Sequence, residues 1–522
     1  MMMRGEDFRE SLRALKPVVF CKGERIENVA DAHVFAPGIN ALSLVYDYAH
    51  DDAFRTIMTA TQGTSGKTVN RMIHIDETTG DLLYKLEAVR ALCAETGCAM
   101  RYLTHDALNA IFQGTARLDA DDGPAKSGDV HARFLAYLHD IQDRDLTLGV
   151  AMTDAKGDRG RRPGQQANPD VYVHIKERRA DGIVIRGTKA IVTAAPYVHE
   201  FLVMPCRTMS AEDAAFAVCC AVPIDAEGVT VIARPAGRPG ENAARFSARY
   251  GQSVGVVHFD DVFVPWDRVF MDGQTQAAGY TTTSYATHHR QSCIAARAGF
   301  GDLLIGAGVH MYEANGLDPD RHGHIRDAMV DLIKIVEGFF ACGVAASVYG
   351  VKDGSGNIMP DPVFANVGKL LLATQIYDMH RLAHHVSGGL VVALPGPDED
   401  HNPETAASLG EVLAGRADVP AAKRAEVARL MEDLTASETA GWYSLISLHG
   451  GGSPEAMKRE IWRNYPRMEK ADLVARLLDR GVLAQEDRKV SNQPGRCCAT
   501  GCEVPEPAKP DAISRPPPQA AE

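Results

Sequence analysis

His289, Cys293, Ala296 and Arg297 stand at offsets of 0, 4, 7 and 8, which on a helix is one face. The apolar spacing of Ile294, Ala298, Leu303, Leu304 and Val309 predicts that helix over 285–312. Far upstream, a helical pattern over 84–112 places Cys98 and Tyr102 on a common face. An imidazole and thiols are the donors that an iron-sulfur cubane takes, and a cubane needs about four of them. The stretches Cys98–Tyr102 and His289–Arg297 offer at most three, namely Cys98, His289 and Cys293. The same residues equally suit a buried histidine packed among small cysteines, since free cysteine is among the most buried residue types.

A second set of residues has the chemistry of cofactor binding. Lys156, Arg159, Arg161 and Arg162 crowd one loop, where guanidinium forks meet phosphate oxygens in pairs or merely keep the loop in water. The amides of Gln165, Gln166 and Asn168 follow, able to read the edge of a flat heterocycle or simply to form a turn entering a strand. Thr193 ends the run Gly187–Pro196, and its hydroxyl is either a hydrogen-bonding group for a cofactor nitrogen or an ordinary strand side chain. Gly388 and Gly389 let backbone N–H groups approach a pyrophosphate, or cap the helix before them. Glu455, after the run His449-Gly450-Gly451-Gly452-Ser453-Pro454, is a base near a helix start or a favourable charge on the helix dipole.

The elements that must hold these residues change texture twice. Residues 1–145 read as a helical domain, with apolar residues at three-to-four spacing over 41–59, 84–113 and 128–144. Residues 146–275 carry short β-branched and aromatic runs such as Val171–Ile175 and Val229–Ile232, punctuated by Asp181-Gly182 and Arg186-Gly187, and read as an antiparallel β domain. Residues 276–486 return to long helical patterns. Residues 487–522, rich in proline and holding Cys497, Cys498 and Cys502, read as a disordered tail.

A chain of 522 residues suggests about three domains. Its 55 basic and 68 acidic residues give a net charge of -13, which argues against a nucleic-acid or anionic-membrane partner. The charged amphipathic start, Met1 to Lys16, lacks the pattern of a secretion signal, and no window reaches the roughly 18 uninterrupted apolar residues of a membrane span. Eleven scattered cysteines fit reduced thiols in a cytoplasmic enzyme.

Several runs together resemble the flavin-dependent superfamily that unites 4-hydroxyphenylacetate 3-hydroxylase with 4-hydroxybutyryl-CoA dehydratase. They are Asp106-Ala107-Leu108-Asn109-Ala110, Lys156-Gly157-Asp158-Arg159, Gln165-Gln166-Ala167-Asn168-Pro169-Asp170, Phe259–Trp266, His289-Arg290-Gln291-Ser292 and Gly388-Gly389-Leu390, and the resemblance covers residues 5 to about 485. It implies an α+β, mostly helical, acyl-CoA dehydrogenase-like fold, a homotetramer, and FAD between the β domain and the C-terminal helices. Carried over by motif, Gln165, Thr193, Arg290, Gln291, Gly388 and Gly389 become FAD contacts, with Arg159 a further cofactor-binding cation. Of the dehydratase's four cluster ligands Cys98 and His289 match, while the other two positions hold Tyr102 and Ala296. The tyrosine that the dehydratase uses beside the flavin is Cys293 here, its nearby lysine is Arg297, and a carboxylate before Phe259 is missing from Ser253–His258, although Glu455 sits in its corresponding region. Two ligands do not hold a [4Fe-4S] cluster, so no metal is expected. The phenol hydroxylases' Arg-Ser-Pro-Asp-Tyr run is Thr104–Leu108 here, with Arg101, Tyr102 and His105 close by.

The resemblance therefore implies a two-component FAD monooxygenase. Reduced FAD would come from an NAD(P)H:flavin reductase, form a C4a-hydroperoxide with molecular oxygen, and hydroxylate an aromatic or similar small substrate in a dry pocket. His289 would be a general base or substrate partner, with Tyr102 and Arg101 positioning the substrate. Two alternatives stand beside it: a cluster-free acyl-CoA dehydratase or isomerase-like flavoenzyme whose basic loop grips CoA phosphates, and a non-catalytic flavin-binding protein.

Overall fold

The helix predicted over 285–312 runs from Thr275 to Ala314 and is the axis of the computed structural model, which describes residues 2–98, 100–122 and 129–479. Four further helices, Thr79–Thr96, Tyr102–Asp122, Gly323–Val348 and Pro362–Ser387, pack against it. Glycines set how closely they approach. A Cβ at Gly299 would strike the backbone of Arg90 and Ala94, and one at Gly301 would strike the Val336 side chain. This axial helix is long and apolar enough to cross a bilayer, yet 72% of its most apolar window is buried within the chain, as befits a core helix.

The continuous helix expected over 84–112 is two helices. The first is capped at its start by the Thr78 hydroxyl, which accepts from the Asp81 N–H, and it ends at Gly97 in the left-handed region, φ +65°. Cys98 therefore lies in the turn, not on the face of the helix that Tyr102 opens.

Between the helical segments lie two sheets. The larger has the strand order Glu24–Ile26, Val18–Cys21, Val229–Ala233, Val254–Pro265, Gly182–Thr193, His174–Arg178; the smaller runs Val269–Asp272, Val218–Pro223, Glu200–Val203, Leu148–Ala151. They are not wholly antiparallel as expected: Val18–Cys21 pairs parallel with Val229–Ala233, and Leu148–Ala151 pairs parallel with Glu200–Val203. Two strands of the large sheet thus come from the first 26 residues, where runs of three and four residues carry too little period to read. Beside the Val254–Pro265 strand, a bulge displaces the end of Gly182–Thr193, and both Ile191 (φ +63°) and Ala194 (φ +57°) adopt left-handed backbone on either side of Thr193.

Residues Met1–Tyr465 form one compact unit, which contains every site residue discussed below. The second unit, Pro466–Glu522, is described as the helix Arg467–Asp479. The proline-rich tail expected over 487–522, with its three cysteines, lies outside the described residues.

Candidate functional site

His289 is 6% exposed and held on four sides. Its Nδ1 meets the Asp106 carboxylate at 3.0 Å, and its Nε2 lies 3.5 Å from the Cys293 sulfur one turn further along the helix. The rings of Tyr285 and Tyr102 stack on it with centroids at 5.2 and 5.9 Å. Burial opposes a charge on the imidazole, but the Cys293 sulfur and the Asp106 carboxylate outweigh it and raise the group from 6.5 to about 10. Burial would likewise raise the Cys293 thiol, and the facing imidazole overrides it to hold the thiol below its ordinary value. Each group thus favours the charged form of the other.

Asp106 anchors this arrangement from the Tyr102–Asp122 helix. Besides His289 it accepts from the Ser292 hydroxyl at 2.7 Å, and Lys85 Nζ and His105 Nδ1 lie 3.7 and 3.5 Å from it. Burial would push the carboxyl up, but the His105 and His289 contacts and the Lys85 charge hold it well below the usual carboxylate range. Beyond it, His105 Nε2 meets Asp76 at 3.1 Å, so two buried carboxylates and two imidazoles alternate behind Cys293.

Two cations follow, Arg297 on the same helix and Lys369 on Pro362–Ser387, whose charge bears on the Cys293 sulfur. Arg297, one turn beyond, donates to the Gly97 carbonyl at 3.3 Å and lies over the rings of Tyr443 and Phe300. The Tyr443 hydroxyl is buried with no hydrogen-bond partner among the described residues. Lys369 donates to the Ser447 carbonyl at 2.6 Å, and burial lowers it from 10.5 to about 8. Gly451 closes over His289, Arg290 and Lys369 with φ +74°, a backbone that suits glycine, and a Cβ there would sit 3.4 Å from the His289 ring.

The expected iron-sulfur donors are engaged within the chain. Cys98 Sγ donates instead to the Gln252 amide oxygen at 2.7 Å, and burial raises its thiol to about 11. Tyr102 and Ala296 occupy the remaining ligand positions, and among the described residues no three His, Cys, Asp or Glu groups are placed to hold a metal ion. These residues do not fit a cluster.

For a flavin the fit is divided. Thr193 lies in the site: Gln252, bonded to Cys98, donates to its hydroxyl at 3.4 Å. The two left-handed residues around it are backbone strain of the kind that clusters at ligand sites, and Ile191 is 64% exposed there. Gln165 and Arg159 are exposed on the basic loop, where Arg162 is taken by Asp213 and Arg161 by Asp158. Other expected contacts are spent elsewhere. Gln291 is fully buried and donates to Ser347 on the Gly323–Val348 helix, while Arg290 donates to Asn366 and to the Gly451 carbonyl. Gly388 and Gly389 are exposed at the far end of the Pro362–Ser387 helix, about 33 Å of helical rise from Asn366. Within one chain they and Arg290 cannot grip the same part of a cofactor.

Two expected catalytic residues are also displaced. Arg101 is fully buried against Asp145 at 2.5 Å and over the Tyr46 ring, so its charge holds the N-terminal helices together. Glu455 is exposed in the first turn of Pro454–Asn464 and pairs with Arg459 at 3.4 Å, which leaves it the helix-dipole role. Sequence reasoning gave no role to Asp106, Lys85, Gln252, Tyr285, Lys369 or Tyr443. A lysine at 85 amid the apolar positions of a helix was the one visible signal, since buried lysine is rare unless paired.

The chain matches the 4-hydroxyphenylacetate 3-hydroxylase N-terminal family over residues 4–271 and its C-terminal family over 278–479. It is 34% identical over 479 residues to 4-hydroxybutyryl-CoA dehydratase/vinylacetyl-CoA-Delta-isomerase of Clostridium aminobutyricum, covering 89% of this chain and 96% of the relative. It is 24% identical over 491 residues to the 4-hydroxyphenylacetate 3-monooxygenase oxygenase component of Thermus thermophilus, covering 93% and 99%. Among solved structures, an oxygen-tolerant archaeal 4-hydroxybutyryl-CoA dehydratase from N. maritimus superposes with a TM-score of 0.87 at 32% identity, covering 93% of this chain and 97% of that one. An oxygenase component of 4-hydroxyphenylacetate 3-monooxygenase, complexed with FAD and 4-hydroxyphenylacetate, superposes at 0.80 with 22% identity over 92% and 98%. The α+β, mostly helical, acyl-CoA dehydrogenase-like class is the fold of this chain.

Proposed function

Because the chain belongs to the 4-hydroxyphenylacetate 3-hydroxylase family, we propose that it is a flavin-dependent enzyme that works without an iron-sulfur cluster and moves a substrate proton through His289. One observation carries this reading: the imidazole is fixed by Asp106 at one nitrogen and faces the Cys293 sulfur at the other, while the two positions where the resemblance would set further cluster thiolates hold Tyr102 and Ala296. A buried base oriented by a carboxylate is the arrangement general acid–base catalysis uses.

The reaction we propose first is hydroxylation of a phenol-like substrate, with FAD reduced by a separate reductase. The flavin supplies electron transfer and oxygen activation. Thr193 would hydrogen-bond its ring, and Gln165 and Arg159 would meet it from the basic loop. The chain's own residues do the rest: Tyr102 offers an aromatic face, His289 passes its own proton to the Cys293 sulfur and takes the phenolic one, and Arg297 balances the phenolate charge in a site shielded from water. The separation of Gly388 and Gly389 from Arg290 supports a homotetramer in which a neighbouring copy completes the cofactor site. Reduced FAD, oxygen and a phenol panel including 4-hydroxyphenylacetate should yield hydroxylated product, and His289→Gln should lower that rate by about 100-fold or more. Hydrogen peroxide alone across the panel would sink this reaction.

A second reading is favoured by the 34% identity to an enzyme named for acyl-CoA substrates. In it His289 shifts a proton along an acyl-CoA chain, and the exposed Arg159 helps grip the CoA phosphates. Conversion of a 3-enoyl-CoA into its 2-enoyl isomer, weakened in KM by Arg159→Ala, would choose this reading over hydroxylation.

A further inference from the structure

His289, Cys293 and Arg297 stand one helical turn apart along a single face of Thr275–Ala314, and proton transfer alone leaves Cys293 unused. The sulfur lies 3.5 Å from His289 Nε2, and Asp106 fixes the opposite nitrogen at 3.0 Å. A nucleophile beside a base that a third group orients is the geometry of covalent catalysis, here built from two helices and recognised by roles rather than by sequence order. One turn beyond Cys293 on the same helix, Arg297 has spent one donor on the Gly97 carbonyl and lies over the ring of Tyr443, whose hydroxyl is buried without a partner among the described residues. An unpartnered buried hydroxyl beside a guanidinium is a place for an acceptor oxygen that comes from outside the chain. Cys293 is 8% exposed as a residue.

We infer that Cys293 is a nucleophile for acyl thioesters, taking the acyl group onto its own sulfur with His289 as its proton partner and Asp106 as the positioning residue. This rests on the acyl-CoA reading above. The Cys293 sulfur forms a bond to the thioester carbonyl carbon, and the carbonyl oxygen turns its charge toward Arg297 and Tyr443. The carbon–sulfur bond to the incoming carrier then breaks, and the departing thiolate takes the proton from His289 Nε2. One thioester is exchanged for another and no oxidant or reductant is consumed. A deacylating thiol or water reverses the same proton movement.

The test incubates the full chain with butyryl-CoA and follows intact mass, peptide mapping, released CoA and calorimetric binding. One butyryl group should appear on Cys293 with one CoA released, and neutral hydroxylamine should remove it. Cys293→Ala should bind butyryl-CoA and stay unlabelled. Asp106→Asn should slow acylation by about 100-fold or more and abolish the ultraviolet absorption of the thiolate, with partial recovery in Asp106→Glu. Binding without a label overturns the role of Cys293 and leaves the acyl-CoA reading standing. A label on another cysteine overturns it equally. Absence of both binding and label removes the two together. The wild-type labelling decides the matter even if an Asp106 variant does not fold.

Discussion

Asp106 carries more of the site than any residue that sequence reasoning singled out. It neutralises Lys85, orients His289 and accepts from Ser292, all away from water. Removing one partner of a buried charge cluster leaves the others uncompensated, so Asp106→Ala should lower unfolding stability by about 3–5 kcal/mol. Cys293→Ala leaves His289 its Asp106 partner and should cost about 1 kcal/mol in the same denaturant titration. Equal losses from both variants would mean that Asp106 is not the anchor described. His289 and Cys293 were legible because helical period alone brings them to one face, and Tyr102 because the resemblance sets it at a ligand position. Asp106 was written in plain sight within a motif, but its partners arrive from two other helices, and no local spacing reports that. Arg101 misled for the opposite reason: its position beside Tyr102 suggested the site, while the helix turns it toward Asp145.

At the scale of elements, the long helices were readable and the joints between them were not. Apolar period runs straight through Gly97, yet a left-handed glycine there ends one helix and lets Tyr102 begin another. That joint sets Cys98 in the turn, where its sulfur donates to Gln252 and still stands beside Tyr102. The short strands near the N-terminus were missed because three or four residues show no alternation worth the name. Helix spacing around the axial helix depends on glycine. Gly299→Ala should force the Thr79–Thr96 helix outward, lowering stability by about 1–3 kcal/mol and weakening the bond from Arg297 to the Gly97 carbonyl. A thermal melt and a structure of the variant check this, and an unshifted melt would show that the two helices yield freely.

For the whole molecule, protons taken up at buried histidines set the acid limit of stability. Burial holds His288 at about 3 and His199 and His380 at about 4, all from 6.5. Below pH 6.5 the unfolded chain binds protons that these folded histidines refuse, so their stability is full above 6.5 and drains away as pH falls toward 4, by about 1.4 kcal/mol per pH unit for each. His289 runs the other way: its raised value gives stability that is complete below 6.5 and lost as pH climbs through about 10. Melting temperature against pH should therefore peak near 6.5. His288→Leu, at a ring whose nitrogens have no partner among the described residues, should flatten the acid limb. A limb unchanged by that substitution would assign the loss to carboxylates instead. The parallel pairing of Val18–Cys21 with Val229–Ala233 has a consequence in time. A chain leaving the ribosome displays residue 18 roughly ten to forty seconds before residue 230 exists, at ordinary rates of synthesis. Through that interval the first strand has no neighbour beyond its own hairpin with Glu24–Ile26. The large sheet closes late in synthesis, and the nascent protein must keep Val19 and Cys21 from other partners until then.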